Sequence, residues 1–225
     1  MKQYYIVAAA GVGKRMGLGY PKQFLEYKGK PLFIITAEKI AACNTVDGII
    51  LVTNSEYIES VKKYVKEFNL QKVVNVVSGG KERQDSIYNG LKAVPCADSI
   101  VGIQDGVRPF IEERFIREAE EILKADEKTD GVVVGVKVKD TIKVIDEFGN
   151  ITSTPDRNFI VAAQTPQVFR YKKIVECYEK AYKKNFYGTD DSSLVELDGG
   201  NVKYIEGSYN NIKITTPEDL KYLER

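Results

Sequence analysis

The 225-residue chain contains no histidine. That absence excludes Ser-His-Asp and Cys-His nucleophilic catalysis, histidine-ligated zinc and imidazole acid–base chemistry. An enzyme built from this sequence must work with Lys, Arg, Asp, backbone amides and a hard metal. Cysteine is scarce as well. The three that occur, Cys43, Cys96 and Cys177, are far apart and form no C-x-x-C. A disulfide framework or thiolate zinc site is not expected on that spacing, and the thiols are expected to behave as small hydrophobes. No apolar run approaches the roughly 20 residues that cross a bilayer. The first residues lack the charged and apolar regions of a signal peptide, so a cytoplasmic protein is expected. An excess of one charge is also missing: 33 Lys and Arg face 32 Asp and Glu, a net charge of +1. Broad attraction to nucleic acid or membrane is not expected, and any bound anion must be held by local geometry.

What is present is an alternation of apolar strands and amphipathic helices. Strands are expected at 3–9, 47–54, 72–77 and 99–104, with helices at 31–42, 56–68, 82–93 and 112–124 between and after them. This order implies an α/β fold, Rossmann-like, with a mostly parallel mixed sheet and helices on both faces. The pattern changes at 131–160, where short alternating strands surround the turn signal Phe148-Gly149-Asn150. A β-hairpin arm inserted in the core, at about 136–160, fits better than another βα unit. Helices near 171–184 and 190–198, a strand at 201–206, an extended segment Asn210–Thr215 and a terminal helix from Pro217 complete the chain. No linker or repeat interrupts it, so one domain with a protruding arm is expected.

The stretch AAAGVGKRMG, residues 8–17, follows the first strand directly. It fails the dinucleotide fingerprint, because Met16 stands where the third glycine belongs. It also fails the Walker A pattern, because Arg15 follows Gly13-Lys14 and Ala8 opens the motif. The physics of both motifs still applies. Small residues let backbone amides approach an anion closely, and Lys14, Arg15 and Lys22 add three cations. A loop at the carboxyl end of the first strand lies where open α/β sheets bind ligands. Triphosphate binding is the functional reading; a solvated basic surface loop is the alternative.

Further candidates follow the other strands. Asp105, in Q-D-G-V-R-P after the fourth strand, suits Mg²⁺, which takes one or two carboxylates plus phosphate oxygens and water. A simple Asp-Gly turn is the bland alternative. Ser78–Ser86 (SGGKERQDS) forms a second Gly-rich strand-to-helix junction, otherwise a helix start capped near Ser78 or a glycine. Lys139-Asp140-Thr141 and Pro155-Asp156-Arg157 sit on the arm, where charges are usually solvated. Gln164-Thr165-Pro166-Gln167 and Gly188-Thr189-Asp190-Asp191 read as turns, and Lys213 as an exposed residue of an extended segment.

Together these pieces resemble a known family. A-A-A-G-x-G-x-R-M, P-K-Q-F-L, G-G-x-E-R-x-D-S, D-x-x-R-P, V-x-D-T-I-K, P-D-R, Q-T-P-Q, T-D-D and N-N-I-K-I-T-T-P-E-D-L occur in this order along nearly the whole chain. The series resembles the 2-C-methyl-D-erythritol 4-phosphate cytidylyltransferases of the non-mevalonate isoprenoid pathway. The resemblance implies that Ala9, Ala10, Gly11, Gly13, Lys14 and Arg15 wrap the CTP phosphates. It implies that Arg15 and Lys22, with Lys213, stabilise charge at the reacting phosphorus. Gly80, Lys81, Arg83 and Ser86 are then expected at the nucleoside, and Asp105 at magnesium. It further implies a homodimer whose arm carries Thr141 and Arg157 to the partner's site, where they grip the acceptor phosphate beside Arg108, Asp105 and Lys213. The chain departs from the family's usual residues at Gln104 (usually His), at Gly106-Val107 and at Ile160-Val161.

The related ribitol-5-phosphate cytidylyltransferases share the first loop, D-x-x-R-P and Q-T-P-Q. P-D-R and I-K-I-T-T-P-E-D-L favour the isoprenoid enzyme, whereas Val107-Arg108-Pro109-Phe110 leans toward the ribitol one. A non-catalytic nucleotide-binding domain is the alternative of a different class; a nicotinamide-dependent dehydrogenase would need the missing third glycine. For the transferase, the attacking group is a phosphate monoester with a second pKa of about 6, so no general base is required. That accords with the absence of histidine.

Overall fold

A computed structural model describes residues 1–11 and 20–224. Gly13, Lys14 and Arg15, expected at the phosphates, lie outside the described residues. The first strand, β1 (Lys2–Ala9), is followed by two short paired strands, β2 (Glu26–Tyr27) and β3 (Lys30–Pro31), and by α1 (Leu32–Ala42). Then come β4 (Gly48–Thr53), α2 (Ile58–Glu67), β5 (Val73–Ser78), α3 (Arg83–Lys92), β6 (Ser99–Asp105) and α4 (Glu113–Ala125). The second half holds β7 (Gly131–Lys137), β8 (Val144–Ile145), β9 (Ile151–Ser153), β10 (Val161–Arg170), α5 (Tyr171–Lys183), α6 (Asp191–Leu197) and β11 (Val202–Glu206).

Seven strands form the central sheet in the order β11-β7-β10-β6-β1-β4-β5. All neighbours are parallel except β10, which runs antiparallel to both β6 and β7. This is the expected mixed α/β sheet. Strands covered on both faces read as continuous apolar runs, and β4 and β6 are buried at every position. The two-residue period of β1 divides the core. Tyr5, Val7 and Ala9 pack with Phe33 of α1 and Phe115 of α4 on one face. Tyr4 and Ile6 pack with Ile87 and Leu91 of α3 and Tyr178 of α5 on the other.

Three local expectations are corrected. Gly131–Lys137 lies in the central sheet, its six consecutive buried residues beside β10, so Val136 and Lys137, the first positions of the arm expected at about 136–160, belong to the sheet. The hairpin is confined to β8 and β9, paired around Gly149. Residues 161–170, where a turn was expected at Gln164–Gln167, form the ten-residue strand β10. Its pairing with β7 shifts register between Ala163 and Gln167, so Pro166 falls in the irregularity rather than in the ladder. The terminal helix is a 3-10 helix, Pro217–Tyr222. Among the described residues no helix is long and apolar enough to cross a membrane.

Candidate active site

The parallel registers bring four strand ends together. Ala8 pairs with Asp105, Ala9 with Thr53, and Thr53 with Ser78. The chain leaves β1 toward β4 but leaves β6 toward the opposite side of the sheet, so the β1–β6 boundary is the topological switch point. Ligands of open α/β sheets bind at that place. A cleft of about 450 Å³ opens there. Ala10, Gly11 and Lys22 line it from the first loop, Gly80, Lys81, Arg83 and Ser86 from the β5–α3 junction, and Asp105 and Lys213 from its floor. The structure thus gathers residues that the sequence marks separately over two hundred positions.

Close approach explains the glycines of the second junction. A Cβ on Gly79 would lie 2.6 Å from the Ala10 Cβ and 2.8 Å from Ser86 Oγ. The Gly80 amide donates to Ser86 Oγ at 3.0 Å, which fixes the turn against the helix. The cap of α3 is Glu82, not Ser78 or a glycine; its N–H donates to the Asp85 carboxylate.

Asp105 is the electrostatic centre. Its side chain is 7% exposed. Oδ2 receives Lys213 Nζ at 2.8 Å and Arg108 Nε at 3.3 Å, and Arg83 Nε lies 4.0 Å from Oδ1. Burial pushes the carboxyl up, but Lys213, Arg83 and Arg108 outweigh it and hold the group well below the usual carboxylate range. Asp105 therefore stays ionised at neutral pH. The cluster of Asp105 and Asp191 against Arg83, Arg108 and Lys213 carries a net charge of +1, which suits a polyanion.

Other expected residues sit elsewhere. The side chain of Ala9 lies in the apolar core, and its carbonyl accepts the side-chain amide of buried Gln23. Arg108 is buried beneath the cleft, where it also donates to the Asn211 carbonyl at 2.7 Å. Thr141 and Arg157 do not line this cleft. Both are exposed residues of the arm, where Arg157 donates to the Lys139 carbonyl.

The residues that sequence reasoning missed are the supports. Q-T-P-Q, expected as a turn, is their hub. Thr165 Oγ accepts from the Asp105 amide at 3.1 Å. Gln164 bonds Ser208 and Asn211, tying down the segment that carries Lys213. Gln167 accepts from the amides of Asp191 and Ser192. Asn54, which lines the cleft after β4, had one available signal, its position at a strand's carboxyl end.

The 2-C-methyl-D-erythritol 4-phosphate cytidylyltransferase (IspD) family profile matches residues 4–225. The enzyme of that name from Fusobacterium nucleatum is 45% identical over 224 residues, which covers 99% of this chain and 96% of the relative. That from Clostridioides difficile is 45% identical over 221 residues, covering 98% and 91%. Among solved structures, 4-diphosphocytidyl-2C-methyl-D-erythritol synthase from Anaerococcus prevotii superposes with a TM-score of 0.87 at 34% identity, covering 100% of this chain and 96% of that one. The cytidylyltransferase from Francisella tularensis gives 0.84 at 29%, covering 100% and 99%. Sequence and fold agree over the whole length that builds the cleft: the chain is a nucleotidyltransferase and belongs to the 2-C-methyl-D-erythritol 4-phosphate cytidylyltransferase family.

Proposed function

We propose that the chain joins CTP and 2-C-methyl-D-erythritol 4-phosphate to give 4-diphosphocytidyl-2-C-methyl-D-erythritol and pyrophosphate. The observation that carries this reading is the ionised, buried Asp105 ringed by Lys213, Arg108 and Arg83 at the switch point. Family membership names the substrates. The relatives named here carry the methylerythritol name, so the ribitol alternative is not favoured.

The reaction brings two anions together, and its barrier falls by positioning and charge neutralisation. The acceptor phosphate attacks the α-phosphorus in line. Lys22 and Arg15 offset charge at that phosphorus, and the amides from Ala10 onward hold the departing pyrophosphate. Gly80, Lys81 and Ser86 hold the nucleoside. Lys213, 2.8 Å from Asp105 Oδ2 and lining the cleft, adds a cation for the phosphate oxygens.

The donor set at Asp105 fits Mg²⁺. It offers one ionised carboxylate at an open cleft, and no cluster of three His, Cys, Asp or Glu occurs among the described residues. Such a site suits an ion that completes its shell with phosphate oxygens and water. Asp105 Oδ1, which carries no hydrogen bond among the described residues, is the atom that would hold it. Magnesium, when bound, supplies charge neutralisation and orientation of the triphosphate.

The arm serves a second copy. Ile145, Phe148, Ile151 and Phe159 are 61%, 82%, 63% and 84% exposed, an apolar surface that a partner would cover. Thr141 and Arg157 flank this surface away from their own cleft, which supports an acceptor site completed in trans. The test of the function is pyrophosphate release from CTP and Mg²⁺ with methylerythritol phosphate, with ribitol phosphate and with a chelator. Release with the first acceptor alone, lost on chelation, is expected. Release with ribitol phosphate alone would overturn the acceptor, and CTP binding without release would overturn catalysis.

A further inference from the structure

Asp191 is 1% exposed, in the first turn of α6. Its two oxygens take the forked end of Arg83, Nη1 at 3.1 Å and Nη2 at 2.7 Å. The hydroxyl of buried Tyr178, from α5, donates to Oδ1 of the same carboxylate. Gln167 fixes the backbone beneath by accepting from the amides of Asp191 and Ser192, and its own amide donates to Asp190. Three elements distant in sequence thus hold one carboxylate in one orientation.

An ion pair in which one side chain is 37% exposed adds little to the joining of two helices. The position of Arg83 gives the pair another use. The guanidinium lies between two carboxylates. Its fork faces Asp191, and its Nε edge faces Asp105 Oδ1 at 4.0 Å. A guanidinium prefers two parallel bonds to one carboxylate. With Asp191 charged, that preference is met away from the cleft. Without it, Asp105 is the carboxylate within reach of the fork.

We propose that Asp191 is a positioning residue for the transfer reaction: it holds the fork of Arg83 off Asp105 and so keeps Asp105 Oδ1 open to the divalent cation that enters with the triphosphate. This rests on the reading of Asp105 as the metal-holding carboxylate. Arg83 still lends its charge to Asp105 across 4.0 Å, but it does not close the oxygen. The T-D-D and Q-T-P-Q motifs thereby gain a role in the reaction although neither Asp191 nor Gln167 lines the cleft.

The test measures Mn²⁺ binding in the presence of CTP, by the loss of the free-ion resonance signal, and pyrophosphate release against Mg²⁺ concentration. Asp191→Asn keeps shape and removes the charge. It is expected to weaken Mn²⁺ binding by about tenfold or more, the scale for groups that orient a metal ligand. Half-saturating Mg²⁺ rises in step, while activity at saturating Mg²⁺ recovers. Arg83→Gln combined with Asp191→Asn removes both charges and, at CTP concentrations that saturate each variant, returns Mn²⁺ binding toward wild type. Tyr178→Phe keeps both charges and leaves Mn²⁺ binding unchanged.

Several results overturn the proposal. One is an Asp191→Asn chain with lowered Tm or kcat but unshifted Mn²⁺ binding. The others are a folded double variant that binds Mn²⁺ weakly, or a Tyr178→Phe chain shifted as far as Asp191→Asn. The control is Asp105→Asn. If it binds Mn²⁺ with CTP as tightly as wild type, the metal reading of Asp105 fails by itself, separately from any effect at Asp191.

Discussion

The cleft and the arm both carry residues of the family's motifs, and they hold them in opposite ways. In the cleft three charged groups are braced by the core: Asp105 by Thr165, Arg108 by the Asn211 carbonyl, Arg83 by Asp191. In the arm no residue from 137 to 163 is buried. Its two short strands pair with each other, and an isolated hairpin is marginal in water. Charges that must meet a phosphorus to within tenths of an ångström are set by strand ends that the sheet cannot move. Thr141 and Arg157 sit on an element whose order comes from a second molecule under the proposed dimer. Under that proposal the described residues of the cleft are folded with the chain, whereas the acceptor half is assembled from two.

The largest expected effect lies in the cleft. Lys22→Ala should lower kcat by about 10²–10³-fold, the scale for one electrostatic stabiliser. A change confined to KM would remove Lys22 from the transition state. Arg157→Ala should instead raise the KM for the acceptor and leave CTP binding intact. The two variants then break or confirm the division directly when mixed after denaturation and refolding. If the arm acts in trans, mixed dimers contain one intact site each, and about a quarter of wild-type activity returns from two weak enzymes. If the arm acts on its own cleft, the mixture stays at the mean of the two.

The same contrast explains what the sequence showed. Strands β1, β4 and β6 were legible because both faces are covered and the apolar runs are continuous. The cleft residues were legible because they stand at the carboxyl ends of those strands. Strand β10 was not, since Pro166 signals a break and only the register shift beside β7 accommodates it. Val136 and Lys137 were placed in the arm because the stretch that follows alternates like a hairpin; their place in the sheet depends on β10, which was itself unseen. Gln23, Gln167 and Asp191 stand in the family's motifs, but nothing local to them marks a supporting role. Arg83 and Asp191 are 108 positions apart, and the sheet alone makes them neighbours.

Two glycines sharpen the comparison at a smaller scale. Gly79 in the cleft is excluded from bearing a side chain by its neighbours, Ala10 and Ser86. Gly149 on the arm has nothing within 4 Å of a built Cβ, but its φ is +83°. Gly79→Ala should cost about 1–3 kcal/mol, as overpacking does, and raise the KM for CTP, because the β5–α3 junction shifts from the first loop. Gly149→Ala should cost about 1 kcal/mol of local backbone strain with the KM for CTP unchanged. Equal effects on CTP would mean that the two regions are coupled within one chain.

The smallest effect on stability should accompany a clear change in assembly. Phe148 is 82% exposed, so Phe148→Ser removes no packing from its own chain, and the melting free energy of the isolated chain should move by about 0.5 kcal/mol or less. Phe115, with 0% exposure, loses about 3–5 kcal/mol on truncation to Ala. An aromatic ring that faces water in one chain is a natural interface anchor. Sedimentation of Phe148→Ser at falling concentration should show dissociation before wild type does, with acceptor KM rising as dimer is lost. An unshifted sedimentation profile would leave Phe148 without a partner and return the arm to its own chain. Because the variant touches no cleft residue, CTP binding measured in the same samples separates loss of assembly from loss of fold.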